Sequence, residues 1–334
     1  MGKIKLVIKN KQKKKILIIK LGAMGDVIHS TVIATAIKQA HPDWQVDFLS
    51  TSYYAEIIKT HPHIDNVISW EEKKRKSYFY LFNVALDLFK TRYDVVFNLT
   101  RAMRNSLLAK LAFPKKYVGK KSFETSWVEE YFLTAKSVVE DIELPERLYL
   151  NPPDIDTTKV DEIIKDCPKP FFVFSPGGSS DLNRQGRIWN LENWKILAQK
   201  IHEKYSGTIF VCGSKREKER HSALKTDYIK VLTADLTTSE MSYLLSKSDM
   251  MISGDTGPAH VASAYNMKTL VLLGSTSPDK IKPYSENGFY ISSKHDCLYC
   301  WKKKCPYLKD NETYTPCMEA LSVEEVFEKV KEVL

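Results

Sequence analysis

Short apolar runs rich in β-branched residues alternate with amphipathic segments along most of this chain. Strands are predicted in the first part at residues 15–20, 46–49, 66–70, 94–99 and 116–119, with helices between them at 27–40, 54–59, 78–91 and 104–111. Buried strands that are separated by helices pair in parallel, because each connection must cross over the sheet. The first part therefore predicts a doubly wound parallel α/β sheet.

The alternation pauses over residues 143–170, a proline-rich segment with one predicted helix at 160–165, and then resumes. Strands are predicted in the second part at residues 171–175, 208–212, 231, 250–252 and 268–273, and helices at 191–205, 217–224, 239–246, 259–265 and 323–334. We therefore predict two similar α/β domains, residues 1–155 and 156–334, with a cleft between them. Such sheets bind ligands outside the carboxyl ends of their strands, so the turns at 21–26 and 253–257 should face this cleft.

Composition narrows the class of protein. The 334 residues are 43% hydrophobic and 27% charged, as in soluble globular proteins, and no apolar run reaches the roughly 18 residues of a membrane span. We expect a cytoplasmic protein. The net charge of +9, with seven lysines in residues 1–15, favours an anionic partner: nucleic acid, an acidic leaflet or a phosphorylated substrate. The alternative interpretation of the lysine-rich residues 1–15 is a tail that only increases solubility.

The turn after the first predicted strand carries Gly22-x-x-Gly25-Asp26. It lacks the G-x-G-x-x-G pattern of dinucleotide-binding proteins, and the chain has no P-loop, which argues against a dehydrogenase or a nucleotide hydrolase. The glycines would let another molecule approach the backbone closely. Asp26 at the mouth of the cleft could act as a general base, or it could simply cap the next helix.

The second turn is Ser253-Gly254-Asp255-Thr256-Gly257-Pro258-Ala259-His260, between a buried strand and a helix. Small residues there leave backbone N–H groups at the helix N-terminus, which attracts phosphate. Asp255 would repel an anion, so it suits sugar or ribose hydroxyls beside the phosphate. A capping aspartate is the alternative.

Two further turns of the second domain end predicted strands. Ser175-Pro176-Gly177-Gly178-Ser179-Ser180 and the following Arg187 offer amides, hydroxyls and a guanidinium that suit a pyrophosphate. Glu217 after the next strand could hold ribose hydroxyls, or it could be a solvated residue at the start of a helix. Trp189 and Trp194 are predicted to pack the following helix.

Four of the six cysteines lie close together in the sequence: Cys297, Cys300, Cys305 and Cys317. Two interpretations stay open, a structural zinc site and reduced thiols without metal, since the spacing matches no common zinc ribbon and a cytoplasmic chain seldom forms disulfides. Cys167 and Cys212 are isolated and are predicted to be packed residues.

Taken together, these motifs resemble glycosyltransferase family 9, the lipopolysaccharide heptosyltransferases, over nearly the whole chain. Residues 16–29, with Gly25-Asp26-Val27-Ile28, look like the family's opening strand and turn, and residues 253–260 are similar to its DTGxxH signature. Residues 175–180 with Arg187 look like its small-residue loop and basic position, and the cysteine run also resembles many members. Asn190 departs from the family's usual proline, and Arg187 stands where many members have lysine.

This resemblance implies a GT-B fold of two Rossmann-like domains, with the last helix packing back on the first domain. It implies an inverting, metal-independent transfer of a sugar from a nucleotide sugar, typically ADP-heptose, to the inner core of lipopolysaccharide. Asp26 would be the general base. The implied donor-binding residues are Ser179, Ser180, Arg187, Glu217, Asp255, Thr256, Gly257 and His260.

The first domain would receive the acceptor, an anionic lipid-linked oligosaccharide of the Kdo-lipid A type in the inner leaflet. Lys20, Gly25, Arg101 and Arg104 are the predicted acceptor-binding residues, and the enzyme should lie peripherally at the cytoplasmic face of that membrane. No cofactor is expected to be required apart from the zinc alternative. Two other functions remain as alternatives: a nucleotide-sugar epimerase of the same architecture, and a non-catalytic binder of nucleic acid or of anionic surfaces.

Overall fold

The computed structural model describes residues 13–74, 77–100, 103–177, 185–302, 304–308 and 314–334, without the side chains of residues 103–105, 107 and 185. The strands of the first domain are β1 (Lys15–Ile19), β2 (Gln45–Thr51), β3 (Asn66–Trp70), β4 (Val95–Asn98) and β5 (Lys116–Gly119). They form one parallel sheet in the order β3-β2-β1-β4-β5. This confirms the strands predicted for the first part of the chain.

The helices around this sheet are α1 (Met24–Ser30), α2 (Val32–Ala40), α3 (Ser52–Ile58), α4 (Tyr78–Thr91), α5 (Met103–Leu111) and α6 (Trp127–Lys136). Helices α4 and α5 cover the face of the sheet that carries Leu17 and Ile19, whereas α1, α2 and α6 contribute to the core on the face that carries Ile16 and Ile18. Both faces of β1 are therefore buried, which explains its continuous apolar run.

The strands of the second domain are β6 (Phe171–Ser175), β7 (Thr208–Val211), β8 (Ile229–Val231), β9 (Met250–Ser253), β10 (Lys268–Leu273) and β11 (Gly288–Ser292). They are also parallel, in the order β11-β10-β9-β6-β7-β8. The accompanying helices are α7 (Thr158–Ile164), α8 (Leu191–Tyr205), α9 (Lys218–Ser222), α10 (Thr238–Ser246), α11 (Gly257–Ala264), α12 (Pro278–Ile281), α13 (Pro316–Glu319) and α14 (Val323–Val333). In each sheet the strand order reverses at its middle, between β1 and β4 and between β6 and β9, so both crevices suited to ligands lie there.

One hydrophobic core joins the domains. It includes Ile18 and Val27 of the first domain and Met251 and Val261 of the second. Between α6 and α7 the chain crosses from one domain to the other, and the predicted boundary at residues 155 and 156 falls in this connection. The described helices include none that is long and apolar enough to cross a bilayer.

The helices differ from the sequence analysis in three respects. The first helix begins at Met24 rather than at residue 27, and it ends at Ser30 before α2 begins. The hydroxyls of Ser30 and Thr31 donate to the carbonyls of Val27 and Ile28, both at 2.8 Å, and such bonds compete with the helical ladder. Helix α6 was not predicted, although Ser126 and Glu129 form a capping box whose signature is visible in the sequence.

The third difference concerns the last helix. Val326 and Val330 of α14 are buried in a core with Leu197 and Ile201 of α8, in the second domain. Helix α14 therefore packs on its own domain rather than back on the first. Its apolar face is already buried there, which explains why a strong amphipathic pattern alone could not identify its partner.

Candidate active site

A cleft of about 1130 Å³ lies between the two sheets. Residues that directly follow strands line it: Lys20 after β1, Leu99 after β4, and Asp255 shortly after β9. The two turns singled out in the sequence, through Asp26 and through Asp255, both face this cleft as predicted. The carboxyl ends of both sheets thus meet at one ligand-sized space.

Asp26 is the third residue of α1 and lies at the cleft with its side chain 38% exposed. Its carboxylate Oδ2 is 2.9 Å from Nζ of the buried Lys20. The N-cap of α1 is Ala23, so the interpretation of Asp26 as a capping residue is wrong. An accessible carboxylate held beside an ammonium group is suited to orienting a hydroxyl and accepting its proton.

Lys120 was missed by the sequence analysis although it directly follows β5, at the same edge of the sheet as Lys20. Its Nζ lies 2.8 Å from Oε1 of the buried Glu130 and 4.5 Å above the centre of the Trp127 ring. Lys120 and Trp127 both line the cleft. A cation over a ring that faces a cleft offers one charged and one flat contact to a ligand there.

On the opposite wall, Arg187 Nη1 lies 2.9 Å from Asp255 Oδ2, and both side chains are about nine-tenths buried. Thr256, not Asp255, is the N-cap of α11, and Pro258 lies in the first turn. The interpretation of Asp255 as a capping residue is therefore wrong. The N-terminus of α11 opens into the cleft beside this ion pair, which gives that wall both a guanidinium and free backbone N–H groups.

His260 of α11 reaches across to the first domain. Its Nδ1 is 2.9 Å from Nε2 of His29 in α1, and both rings are buried. Burial is the largest cause that lowers the pKa of each ring, and the neighbouring His260 lowers the pKa of His29 further. The pair is therefore neutral at pH 7, which suits a single hydrogen bond between two ring nitrogens.

Helices α1 and α11 pack closely because two glycines lie at their contact. A Cβ atom at Gly25 would lie 2.6 Å from Cδ2 of His260, and one at Gly257 would lie 2.8 Å from Cβ of Met24. Part of the close approach that the sequence predicts at the Gly25 backbone is therefore made by His260 of the second domain. Gly25 and Gly257 also line the cleft, so their predicted acceptor and donor contacts remain predictions.

Glu217 lies at the start of a helical segment, as one of the two interpretations predicts, but its side chain is mostly buried rather than solvated. Its Oε2 accepts from the backbone N–H and the hydroxyl of Ser214, at 2.7 and 2.8 Å, in a capping box. It also lines the cleft with its side chain 18% exposed, and a Cβ at Gly177 would lie only 1.5 Å from its Oε1. Its contact with ribose remains a prediction.

Several predicted site residues lie outside the described part of the chain: Ser179, Ser180 and Arg101. The side chain of Arg104 is also not among those described.

Trp189 and Trp194 are buried against each other with ring centres 5.4 Å apart, which confirms their predicted packing role.

Cys297, Cys300, Cys305 and Cys317 line a second cavity of about 230 Å³, which shares Ser275 and Lys302 with the cleft. Burial is the largest cause that raises the pKa of Cys297 and Cys317. Within the described residues, no three histidine, cysteine, aspartate or glutamate side chains are arranged to hold a metal ion. Cys212 is buried as predicted, and burial raises the pKa of its thiol to about 12.

Residues 81–310 match the model of glycosyltransferase family 9 (heptosyltransferase), and this segment is more than half of the chain. The chain belongs to glycosyltransferase family 9. The predicted enzyme class, a glycosyltransferase of the heptosyltransferase family, is thereby confirmed.

Individual relatives agree with this assignment. The lipopolysaccharide heptosyltransferase 1 of Pseudomonas aeruginosa is 24% identical over 89% of each chain. Among solved structures, a glycosyl transferase family 9 protein from Veillonella parvula superposes with a TM-score of 0.81 at 18% identity, over 96% of this chain and 97% of that one. The E. coli ADP-heptose lps heptosyltransferase II gives 0.75 at 17%, over 96% and 98%. These structures confirm the predicted GT-B fold of the family 9 enzyme.

Proposed function

We propose that this enzyme transfers heptose, with inversion, from ADP-heptose to an anionic, lipid-linked oligosaccharide of the lipopolysaccharide inner core. The observation that carries the proposal is the placement of two different groups on opposite walls of one cleft. Asp26 with Lys20 lies on the first-domain wall, and the N-terminus of α11 with Arg187 and Asp255 lies on the second. The relatives that are heptosyltransferases of lipopolysaccharide support the same sugar and pathway for this chain.

Inversion needs a base on the side opposite the leaving group. In the proposed reaction an acceptor hydroxyl oxygen attacks the anomeric carbon of the heptose while the bond from that carbon to the phosphate oxygen of ADP breaks. Asp26 takes the hydroxyl proton, and Lys20 keeps the carboxylate oriented toward the acceptor. The products are the glycosylated acceptor and ADP.

The second-domain wall stabilises the negative charge that develops on ADP. The guanidinium of Arg187 and the backbone N–H groups of α11 are fixed before the reaction, so they stabilise the leaving pyrophosphate without rearrangement. Asp255 is suited to hold sugar hydroxyls beside the phosphate, Glu217 the ribose, and Thr256 and Gly257 the phosphates. In this proposal no metal ion takes part.

The lipid-linked acceptor places the reaction at a membrane surface, and we propose the cytoplasmic face of the inner membrane. The net charge of +9 favours a surface of anionic lipid. Nucleic acid is not proposed as a partner, because the cleft is built for a small phosphorylated ligand and a hydroxyl acceptor.

A panel of nucleotide sugars tests the function. The enzyme is incubated with ADP-, GDP- and UDP-linked sugars, with and without Kdo-lipid A, and the product's anomeric configuration is read by NMR. The proposal predicts ADP release from ADP-heptose only with acceptor, and a product of inverted configuration. Sugar conversion without acceptor would instead indicate an epimerase, and absence of turnover with every donor would indicate a binding protein.

A further inference from the structure

Helix α4 exposes aromatic side chains on its outer surface. Tyr78, Phe79, Phe82 and Phe89 are 81%, 77%, 63% and 45% exposed, and Leu86 is 37% exposed. Positions 78, 82, 86 and 89 recur at helical spacing, so these residues form one continuous face. Single exposed apolar residues are common on proteins, but a contiguous row of this kind indicates an interaction surface.

Phe113, in the loop after α5, extends this face. Its side chain is 70% exposed, and its ring lies edge-on to that of Phe89 with centres 5.7 Å apart. We call Tyr78, Phe79, Phe82, Leu86, Phe89 and Phe113 the aromatic stripe. The opposite side of α4 is already buried on the sheet through Leu81, Ala85 and Leu88, so the stripe has no role in the domain's own core.

Basic residues are frequent in the sequence on either side of the aromatic stripe. Residues 71–116 contain eleven lysines and arginines and four acidic residues, so they hold much of the chain's positive charge. Lys73, Lys90, Arg92, Lys110 and Lys115 are exposed on α4 and α5 or within five residues of their ends, and Lys90 and Lys115 also pair with Asp87 and Asp94. Aromatic side chains ringed by lysine and arginine match the interface of an anionic lipid bilayer, where rings sit among headgroups and cations pair with phosphates.

The two ends of α4 define where the stripe lies on the first domain. Its N-terminus follows β3, so Tyr78 and Phe79 lie toward the carboxyl edge of the first sheet, the edge that carries Lys20 and Asp26. At the other end, Nζ of Lys15 donates to the carbonyl of Thr91 at 3.3 Å, so Lys15 lies beside the end of α4. The stripe therefore runs along α4 from the cleft edge of the first sheet toward the opposite edge, where β1 begins at Lys15.

We propose that the aromatic stripe docks the enzyme on an anionic leaflet, with its rings in the headgroup region and the nearby exposed lysine and arginine side chains on the lipid phosphates. This inference rests on the proposed function, because a lipid-linked acceptor requires the enzyme to work at a membrane. Vesicle binding can nevertheless be measured without turnover. Stable attachment takes an apolar and a polybasic signal together, and this face offers both.

Vesicle flotation of the full chain tests the docking. The vesicles are phosphatidylcholine alone, or phosphatidylcholine in which phosphatidylglycerol replaces about a third of the lipid. The test variant is Phe79→Ser/Phe82→Ser, and the matched control is Ile196→Ser, a 38% exposed apolar residue on α8 of the second domain. We expect the double variant to bind anionic vesicles about tenfold or more weakly, and the control to bind like the wild type.

Salt and truncation separate the two signals. Raising the salt concentration, or deleting residues 1–14, should weaken vesicle binding of the wild type without abolishing it. The binding that remains should be lost when the Phe79→Ser/Phe82→Ser changes are added. Turnover of a water-soluble, delipidated acceptor should be the same in the double variant and the wild type, since the stripe lies outside the cleft. Failure of all turnover with intact vesicle binding would contradict only the proposed function.

Two results would overturn the docking itself. One is a double variant that binds anionic vesicles as well as the wild type does. The other is a wild type that sediments as a dimer while the double variant sediments as a monomer, which would assign the stripe to a second copy of the chain.

Discussion

Replacing Gly25 by alanine tests the close contact between the two domains. Inside a helix this change normally stabilises a protein by about 0.5–1 kcal/mol, because glycine loses more backbone freedom on folding. Here the new Cβ would lie 2.6 Å from Cδ2 of His260, whereas carbon atoms in contact are about 3.5–4.0 Å apart. His260 must therefore move by roughly 1 Å.

The sign of the effect follows from these magnitudes. Overpacking of a buried site costs about 1–3 kcal/mol, which exceeds the helix gain, so we expect a net loss of about 1–2 kcal/mol. His260 is hydrogen-bonded to His29, so its displacement also shifts α11 relative to α1. Asp26 and Asp255 would then be misplaced across the cleft, and a misplacement of about 1 Å can lower turnover by as much as about 10²-fold.

The assay is thermal unfolding together with steady-state turnover, with Gly119→Ala as the matched control. At Gly119 the nearest atom to an added Cβ is a Tyr117 carbon at 3.9 Å, an ordinary contact. We expect Gly25→Ala to lower the melting temperature by roughly 2–6 °C and to slow turnover, and the control to leave the melting temperature unchanged. A more stable Gly25→Ala enzyme with normal turnover would refute the close packing of the two helices.

Further predictions follow from other parts of the cleft and core. Arg187→Ala should weaken binding of ADP-heptose about tenfold or more, since a charge-assisted contact contributes about 1.5–3 kcal/mol; unchanged affinity by calorimetry would rule out that contact. Burial lowers the pKa of His61 to about 3 and that of His221 to about 4, so both stay neutral in the fold. The unfolded chain takes up protons below about pH 6.5, so stability is complete above that pH and falls by roughly 2 kcal/mol per histidine by pH 5. A urea midpoint that stays constant from pH 7 to pH 5 would contradict this. Turnover should survive EDTA, and elemental analysis should find well under one zinc or iron per chain; activity lost to EDTA and restored by magnesium, or about one metal ion per chain, would contradict the metal-free proposal.

The parallel sheets and the position of the cleft could be predicted from the sequence because their signals are local. Buried strands such as β1 and β9 are short apolar runs, and the turns that follow them contain small residues. Asp26 and Asp255 could be identified because each follows a buried strand within a few residues, near the edge of the sheet where ligands bind.

Other parts of the site depend on contacts between distant residues. His29 lies 231 positions from His260, and the sequence near either residue does not predict their hydrogen bond. The pairing of Arg187 with Asp255 and the packing of α14 on α8 are equally non-local. Lys120, by contrast, could have been found, because it follows β5 in the same way that Lys20 follows β1.

Asp26→Asn measures the proposed mechanism most directly. Asparagine keeps the shape of the side chain but cannot accept the proton of the acceptor hydroxyl, and no capping bond is lost because Ala23, not Asp26, is the N-cap of α1. The measurement is the initial rate of ADP release from ADP-heptose with Kdo-lipid A, with donor affinity and melting temperature determined on the same samples. We predict a fall in turnover of roughly 10²–10⁴ with donor affinity nearly unchanged, and a modestly lower melting temperature because the buried Lys20 loses the charge of Asp26. Turnover close to that of the wild type would contradict the assignment of Asp26 as the general base.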